Sequence, residues 1–304
     1  EEQAGPVEQG AGDYEPLLLA ARKLERHLVT LRAEFHQSQH PVDALADLLL
    51  ALPARGLHHV VKIHKDVAVG EQLVVLEDDA DAAAQSASRL LELPQLRCYA
   101  LQMGVYASET NAENQSVALQ AAGAGGYILQ EGDRYRVLAA AYTSEEDLQT
   151  VRAQLEQEGL ESASHVIESL PCRLVVTGTD AQAQALTDVL DGVIALSDQL
   201  SELAVAFDRE QRTIESARSS LAAMARTVEQ YLVDVAALTA GQPVLASLSD
   251  CCRSILAQFE KADALPQDDR AAFTAYLKYT CIQCAAAYCA FCEAVAALGE
   301  GGTV

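Results

Sequence analysis

The sequence predicts an α+β protein in which a central βαββαβ unit is flanked by an N-terminal helical and β segment and a C-terminal helical bundle. Within residues 99–170 each half has an apolar run, a serine that can cap a helix, an amphipathic segment, a glycine stop and another short apolar run. A shift of 36 positions superposes the two halves and places Tyr106, Ser108, Glu109, Leu119 and Gly123 on Tyr142, Ser144, Glu145, Leu155 and Gly159.

The chain divides into four parts by composition and periodicity. Residues 1–12 mix Gly, Pro, Gln and Glu and are expected to form a flexible tether. Residues 13–95 are predicted to hold a helical hairpin and a short β segment, residues 97–170 the βαββαβ unit, and residues 172–304 a mainly helical bundle.

The N-terminal segment reads as helices followed by strands. Apolar residues recur at helical spacing over Tyr14–Phe35 and Val42–Leu52. Two β-rich runs follow, at Val60–Ile63 and Leu73–Leu76, and an Ala-rich helix is predicted from about Asp79 to Leu93.

The C-terminal third shows helical periodicity after one more apolar run at Leu174–Val176. From Ala181 to Ala240 the chain is almost free of Gly and Pro, which predicts one long helix or two. A further helix is expected from about Val244 to Ala262, and a last one from Pro266 to near Gly299. Together these helices are predicted to form an antiparallel bundle.

Charge and motif content limit the possible functions. The net charge of −23, with 21 Lys and Arg against 44 Asp and Glu, excludes nucleic acid as an expected partner and disfavours anionic membranes. No GxSxG, HExxH, phosphate-binding loop or dinucleotide fingerprint occurs, and the run Gly123–Gly126 precedes a strand and is expected to form a turn. We therefore expect a binding protein, without a cofactor, and not an enzyme.

Several short motifs in the central unit resemble one known family. Tyr99–Tyr106 reads Tyr-Ala-Leu-Gln-Met-Gly-Val-Tyr and resembles the first strand of SPOR (sporulation-related repeat) domains. Gly126-Tyr127, Tyr135-Arg136-Val137 and Gly159 match further motifs of the family in the correct order. The resemblance, over about residues 97–170, implies a βαββαβ sandwich with an antiparallel sheet. It also implies a non-catalytic domain that binds peptidoglycan and prefers glycan strands stripped of their stem peptides.

The same resemblance supplies candidate glycan-binding residues. Gln102 and Arg136 correspond to polar ligand-contacting positions, and Arg134 stands where many members carry an aromatic residue. Tyr106 and Tyr142 offer aromatic faces for sugar rings or, alternatively, belong to the core. Alternation predicts that Gln102, Gly104 and Tyr106 share one face of the first strand, and that Arg134, Arg136 and Leu138 share one face of the third.

The chain departs from the family pattern at a few positions. Val105 replaces a serine after the glycine of the first strand, and Ala140-Ala141-Tyr142 replaces Gly-Pro-Phe. These changes leave open that the unit is a purely structural module for protein–protein interaction.

The eight cysteines suggest an alternative function, the binding of a soft metal ion by a thiol-rich helical bundle. Cys98 and Cys172 bracket the central unit, and the other six lie in the last two predicted helices: Cys251, Cys252, Cys281, Cys284, Cys289 and Cys292. The last four share a helix face but span about 16 Å of helix axis, so they cannot form one mononuclear zinc site by themselves. The cysteines remain open to three interpretations: a soft-metal site that includes Cys251 or Cys252, disulfides such as Cys98 to Cys172, or small buried apolar residues.

Localisation follows from the resemblance and not from a targeting signal. A SPOR-like unit implies an extracytoplasmic place in the bacterial cell envelope, linked to division or sporulation. No apolar run reaches the roughly 18 residues of a membrane span. The chain begins at Glu1, so we expect membrane anchoring through a segment absent from this sequence. The expected partners are glycan strands, with protein docking or self-association through the C-terminal helices.

Overall fold

The computed structural model describes residues 71–76 by their backbone, and residues 87–238 and 242–300. The predicted tether, the helical hairpin and the β-rich run Val60–Ile63 lie outside these residues. In chain order the elements are β1 (Glu71–Leu76), β2 (Ala87–Glu92), β3 (Arg97–Tyr106), α1 (Glu109–Ala121), β4 (Tyr127–Glu131), β5 (Arg134–Tyr142), α2 (Glu145–Gln157), β6 (Ala163–Glu168), β7 (Arg173–Gly178), α3 (Asp180–Asp208), α4 (Ile214–Ala237), α5 (Pro243–Glu260) and α6 (Arg270–Glu300).

The elements from β3 to β6 form the predicted βαββαβ unit. Its four strands make an antiparallel sheet in the order β4-β5-β3-β6. Gly123 and Gly159, one in each half of the repeat, have φ values of 82° and 77° just after α1 and α2. These left-handed conformations favour glycine and end the helices where the sequence predicts. The predicted fold class is confirmed.

A second sheet joins the chain on both sides of this unit. Its order is β1-β7-β2, with β1 parallel and β2 antiparallel to β7. The chain enters and leaves the unit at one place, where the Leu93 amide donates a hydrogen bond to the Cys172 carbonyl at 3.0 Å. Residues before and after the SPOR-like unit are thus held together by backbone pairing.

The prediction of an Ala-rich helix in the N-terminal segment is wrong for the part of it that the structure describes. The Ala-rich stretch was expected to be helical to about Leu93, but Ala87–Glu92 forms β2 and pairs with Arg173–Gly178. Local helix propensity is weak, and a ladder with a distant strand can outweigh it. The apolar run at Leu73–Leu76 is confirmed as part of β1.

In the described residues after β7 the chain forms four α-helices, where the sequence predicted three or four. Thr179 and Gln182 make a capping box at the start of α3. The stretch expected to hold one or two long helices holds two, α3 and α4, and Glu210 between them has a φ of 58°. Helix α3 contacts α4 and α6, and α5 contacts both α4 and α6.

Helix α6 lies in the centre of the protein. It contacts α3 and α5 on one side and the βαββαβ unit on the other. By length and composition Arg270–Leu298 could cross a membrane, although polar residues such as Lys278, Thr280 and Gln283 interrupt any continuous apolar run. About two-thirds of its most apolar window (67%) is buried inside the protein, as in the core helix of a globular protein. The helix thus meets the criterion by its length and mean composition, without an uninterrupted apolar run of about 18 residues.

Candidate functional site

The four-stranded sheet has two faces with different neighbours. One face packs against α1 and α2 and contributes Leu101, Val137 and Ala139 to their core. We call this the helix face. The helices contribute mainly Ala112, Leu119, Leu148, Val151 and Leu155. This is the two-layer sandwich expected for the unit.

Helix α6 covers the apolar part of the opposite face. The sheet residues in this second core are at most 9% exposed: Cys98, Ala100, Tyr127, Leu129, Leu138 and Ile167. The rings of Tyr127 and Tyr279 have centroids 5.2 Å apart. The approach is close at Gly125, where a Cβ atom would lie 2.9 Å from the Tyr279 amide nitrogen. This half of the face is therefore an internal interface.

The remaining part of that face is polar and partly open, and we call it the polar end. It consists of Gln102, Glu131, Arg134, Arg136 and His165. Arg136 donates from Nε to Glu131 Oε2 and from Nη1 to Gln102 Oε1, both at 2.5 Å. His165 Nε2 lies 3.5 Å from Glu131 Oε1. The two hydrogen bonds of Arg136 thus join strands β4, β5 and β3, and His165 of β6 lies beside them.

Exposure within the polar end is graded. The side chains of Arg136 and Glu131 are 28% and 22% exposed, and that of His165 is 10% exposed. Arg134 is 59% exposed, and its distance to Asp133 Oδ1 is 4.0 Å, the outer limit of an ion pair. Arg136 is thus held in place within the network, whereas Arg134 extends towards solvent.

A β-bulge in β3 changes the predicted alternation. Gln102 pairs with Leu138 but Gly104 pairs with Val137, so Met103 is an extra residue. Such a bulge moves the following residues to the other face. The prediction that Gln102, Gly104 and Tyr106 share a face is therefore wrong, whereas Arg134, Arg136 and Leu138 do share one, as predicted.

The two candidate tyrosines lie on the helix face. Tyr106 and Tyr142 both pack against the core formed with α1 and α2. Burial, followed by the nearby carboxylates of Asp208 and Asp147, raises the pKa of Tyr142 above its ordinary range. The structure therefore brings together Gln102, Arg134 and Arg136 but not the tyrosines, and a glycan-binding role for these residues stays a prediction.

Sequence reasoning did not single out Glu131 and His165. A signal for Glu131 was available, since it follows Tyr127 and Leu129 at strand spacing and precedes a Gly-Asp turn that leads to Arg134. No comparable pattern marks His165, whose position depends on the pairing of β6 with Ala100 in β3.

All eight cysteines are free in this structure, and seven are buried. The alternative of a Cys98–Cys172 disulfide is not what the structure shows; instead the Cys172 thiol donates to the Cys292 carbonyl at 3.2 Å. Burial raises the pKa of the Cys98 and Cys281 thiols to about 12. Within residues 87–238 and 242–300, no three His, Cys, Asp or Glu side chains come together in a way that could hold a metal ion.

The order of the elements and the topology of the four-stranded sheet define a small α+β module that precedes the C-terminal helices. Residues 98–167 match the family model of the SPOR domain, and this part of the chain is a SPOR domain.

Comparison with solved structures finds the solution structure of the peptidoglycan binding domain of the B. subtilis cell wall lytic enzyme CwlC. It is 21% identical to this chain, with 23% of this chain and 90% of that domain covered and a TM-score of 0.21. No curated protein matches the chain.

Proposed function

We propose that this protein binds the glycan strands of peptidoglycan, in the form stripped of stem peptides, through the polar end of its SPOR domain. The protein is not an enzyme in this proposal. The observation that supports it best is the network of Gln102, Arg136 and Glu131, which is hydrogen-bonded across the sheet yet remains partly exposed.

The chemistry of the polar end suits a sugar polymer. Sugar hydroxyl groups both donate and accept hydrogen bonds, and N-acetyl groups offer one donor and one acceptor. Gln102 and Glu131 carry acceptor oxygens, and Arg136 donates several hydrogen bonds from a planar group whose position is already fixed. Val105 lies opposite Arg136 and is 38% exposed, so it adds a small apolar contact. Preorganised polar groups lower the entropy cost of holding a ligand.

The direct test is co-sedimentation with purified sacculi, with and without prior amidase treatment. We expect binding that increases after the amidase removes stem peptides. The variant Gln102→Ala, Arg136→Ala should bind at least tenfold more weakly, because it removes both members of the cross-strand hydrogen bond.

A matched control removes the same two residue types elsewhere on the sheet. Gln130 and Arg97 lie outside the polar end. Gln130 donates a hydrogen bond to the Gly132 carbonyl, and Arg97 donates one to Glu168. The variant Gln130→Ala, Arg97→Ala should bind like the wild type. Absence of wild-type binding to either kind of sacculus, or equal binding by both double variants, would remove the glycan function. Circular dichroism of each variant verifies the fold.

A structural interaction module is the second candidate, because α6 already covers the apolar half of the same face. In that case the SPOR domain serves to hold α6 and the helices around it, which dock a protein or a second copy of the chain. Sedimentation equilibrium together with the sacculus assay separates the two functions. Self-association without glycan binding supports the second candidate.

We also propose that the protein acts in the bacterial cell envelope. A protein that binds denuded glycan acts on the outer side of the cytoplasmic membrane, where such strands arise during division or spore formation. Membrane anchoring of the natural protein is a further part of this proposal. Fractionation of cells and imaging of a fluorescent fusion at division septa test both points.

A further inference from the structure

We infer that Arg134 of this SPOR domain binds the lactyl carboxylate of muramic acid. An ion pair between the two groups then contributes most of the affinity for denuded glycan. This inference rests on the proposed glycan binding.

Within the part of the chain that the structure describes, the polar end has no exposed aromatic ring on which a sugar could stack. The aromatic residue on this face of the described sheet, Tyr127, is 1% exposed beneath α6. Four other tyrosines of the sheet pack on the helix face: Tyr99, Tyr106, Tyr135 and Tyr142. The described aromatic residues therefore offer no ring for stacking at the polar end, and we expect polar and charged groups to provide most of the affinity there.

Among the charged groups of the polar end that the structure describes, Arg134 is the exposed cation that a ligand can reach. Arg136 already donates to Glu131 and Gln102, and its charge is balanced by the Glu131 carboxylate. Arg134 is 59% exposed, and Asp133 approaches it only to 4.0 Å and is itself 96% exposed. A ligand carboxylate can therefore accept two hydrogen bonds from the Arg134 guanidinium without displacing a buried partner.

Denuded glycan carries the group that fits this cation. In intact peptidoglycan the lactyl carboxyl group of each muramic acid is consumed in an amide bond to the stem peptide. Hydrolysis of that bond leaves a carboxylate on the glycan. An exposed arginine next to a fixed hydrogen-bonding network thus distinguishes the stripped strand from the peptide-bearing one by charge, even though the protein as a whole carries a net charge of −23.

The test uses the full chain and three soluble ligands: denuded glycan fragments, the same fragments with their carboxylates converted to methylamides, and N-acetylglucosamine oligomers of equal length. The wild type should bind the native fragments about tenfold more tightly than either uncharged ligand. Raising the salt from 50 to 500 mM should reduce only the binding of the native fragments. Arg134→Gln should bind all three ligands equally weakly, and Arg134→Lys should restore part of the preference.

Arg97→Gln is the matched control, since Arg97 is 55% exposed on the same sheet but pairs with Glu168 at the other end. It should behave like the wild type. Equal wild-type binding of native and methylamidated fragments, or unchanged preference in Arg134→Gln, would overturn the carboxylate inference while leaving glycan binding intact. Absence of wild-type binding to all three ligands and to sacculi would overturn both.

Discussion

Lys278 of α6 forms an ion pair with Asp208 at the end of α3, with a distance of 3.0 Å from Nζ to Oδ2. The two side chains are 15% and 7% exposed. Lys278 also donates to the Gly123 carbonyl, at the end of α1, at 3.4 Å. One lysine thus connects the central helix, the C-terminal bundle and the SPOR domain.

Removal of one member of this ion pair should strongly destabilise the protein. Lys278→Met leaves the Asp208 carboxylate buried without its cation, and we expect a loss of about 3 to 5 kcal/mol in the free energy of unfolding. The double variant Lys278→Met, Asp208→Leu should recover most of this loss, because no charge remains buried. Urea denaturation measures both values. Arg253→Gln, which breaks an exposed pair with Asp250, should cost less than about 1 kcal/mol.

The docking of α6 on the sheet should depend on the absence of a side chain at Gly125. An alanine Cβ would lie 2.9 Å from the Tyr279 amide nitrogen and 3.1 Å from the Ala139 carbonyl oxygen, both of which are backbone atoms. We expect Gly125→Ala to cost about 1 to 3 kcal/mol and to speed hydrogen exchange in α6 around Tyr279. Gly132→Ala, at a positive φ but in open space, should cost about 1 kcal/mol through strain and leave α6 exchange unchanged.

The cysteines should be unreactive in the folded protein. Seven of the eight are buried, and burial raises the pKa of Cys252 to about 11 and of Cys98 to about 12. Reaction with maleimide requires the thiolate and access to solvent. At pH 8 we expect fewer than two thiols to react in the time in which all eight react in 8 M urea. Mass spectrometry counts the adducts, and rapid native labelling of three or more thiols would contradict the buried arrangement.

Glu293 in α6 should make stability depend on pH. Burial raises its pKa to about 7, against an ordinary value of 4.5. Between these two values the folded state holds the proton more tightly than the unfolded state. Stability therefore falls as the pH rises from about 4.5 to 7 and then levels off. Since the group is half-exposed, the effect should be about 1 to 2 kcal/mol.

Glu293→Gln should remove most of this pH dependence and stabilise the protein at pH 8. Thermal unfolding between pH 4.5 and 8 provides the measurement. Glu229→Gln, which removes an exposed glutamate from α4, controls for the change in net charge. An identical fall in stability in Glu293→Gln and the wild type would show that another group is responsible.

The order of elements in the SPOR domain could be predicted because its signals are local. Ser144 caps α2 by accepting from the Asp147 amide, and glycines end both helices, so these three boundaries are set by residues close in sequence. Ser108, in contrast, precedes α1 without a side-chain capping hydrogen bond. Strand β2 could not be predicted in the same way. Its conformation depends on β7, more than 80 residues later, and only the folded chain brings the two together.

The candidate site was predictable in part for the same reason. Arg134 and Arg136 share a face because β5 is regular at that end, and simple alternation describes it. Tyr106 was misplaced because nothing in the sequence marks the extra residue Met103 as a bulge. The packing of α6 on the sheet could not be predicted either. Apolar residues surround most of that helix, so its sequence does not show which side faces the sheet.

The most direct test of glycan binding by the polar end is an NMR titration of the isotopically labelled chain with denuded glycan fragments. We expect amide and side-chain shifts to change at Gln102, Arg134, Arg136 and His165, and core residues of α1 and α2 such as Leu119 and Leu148 to show no response. Shift changes centred on α1, α2 or the C-terminal helices, or no changes at saturating glycan, would contradict it.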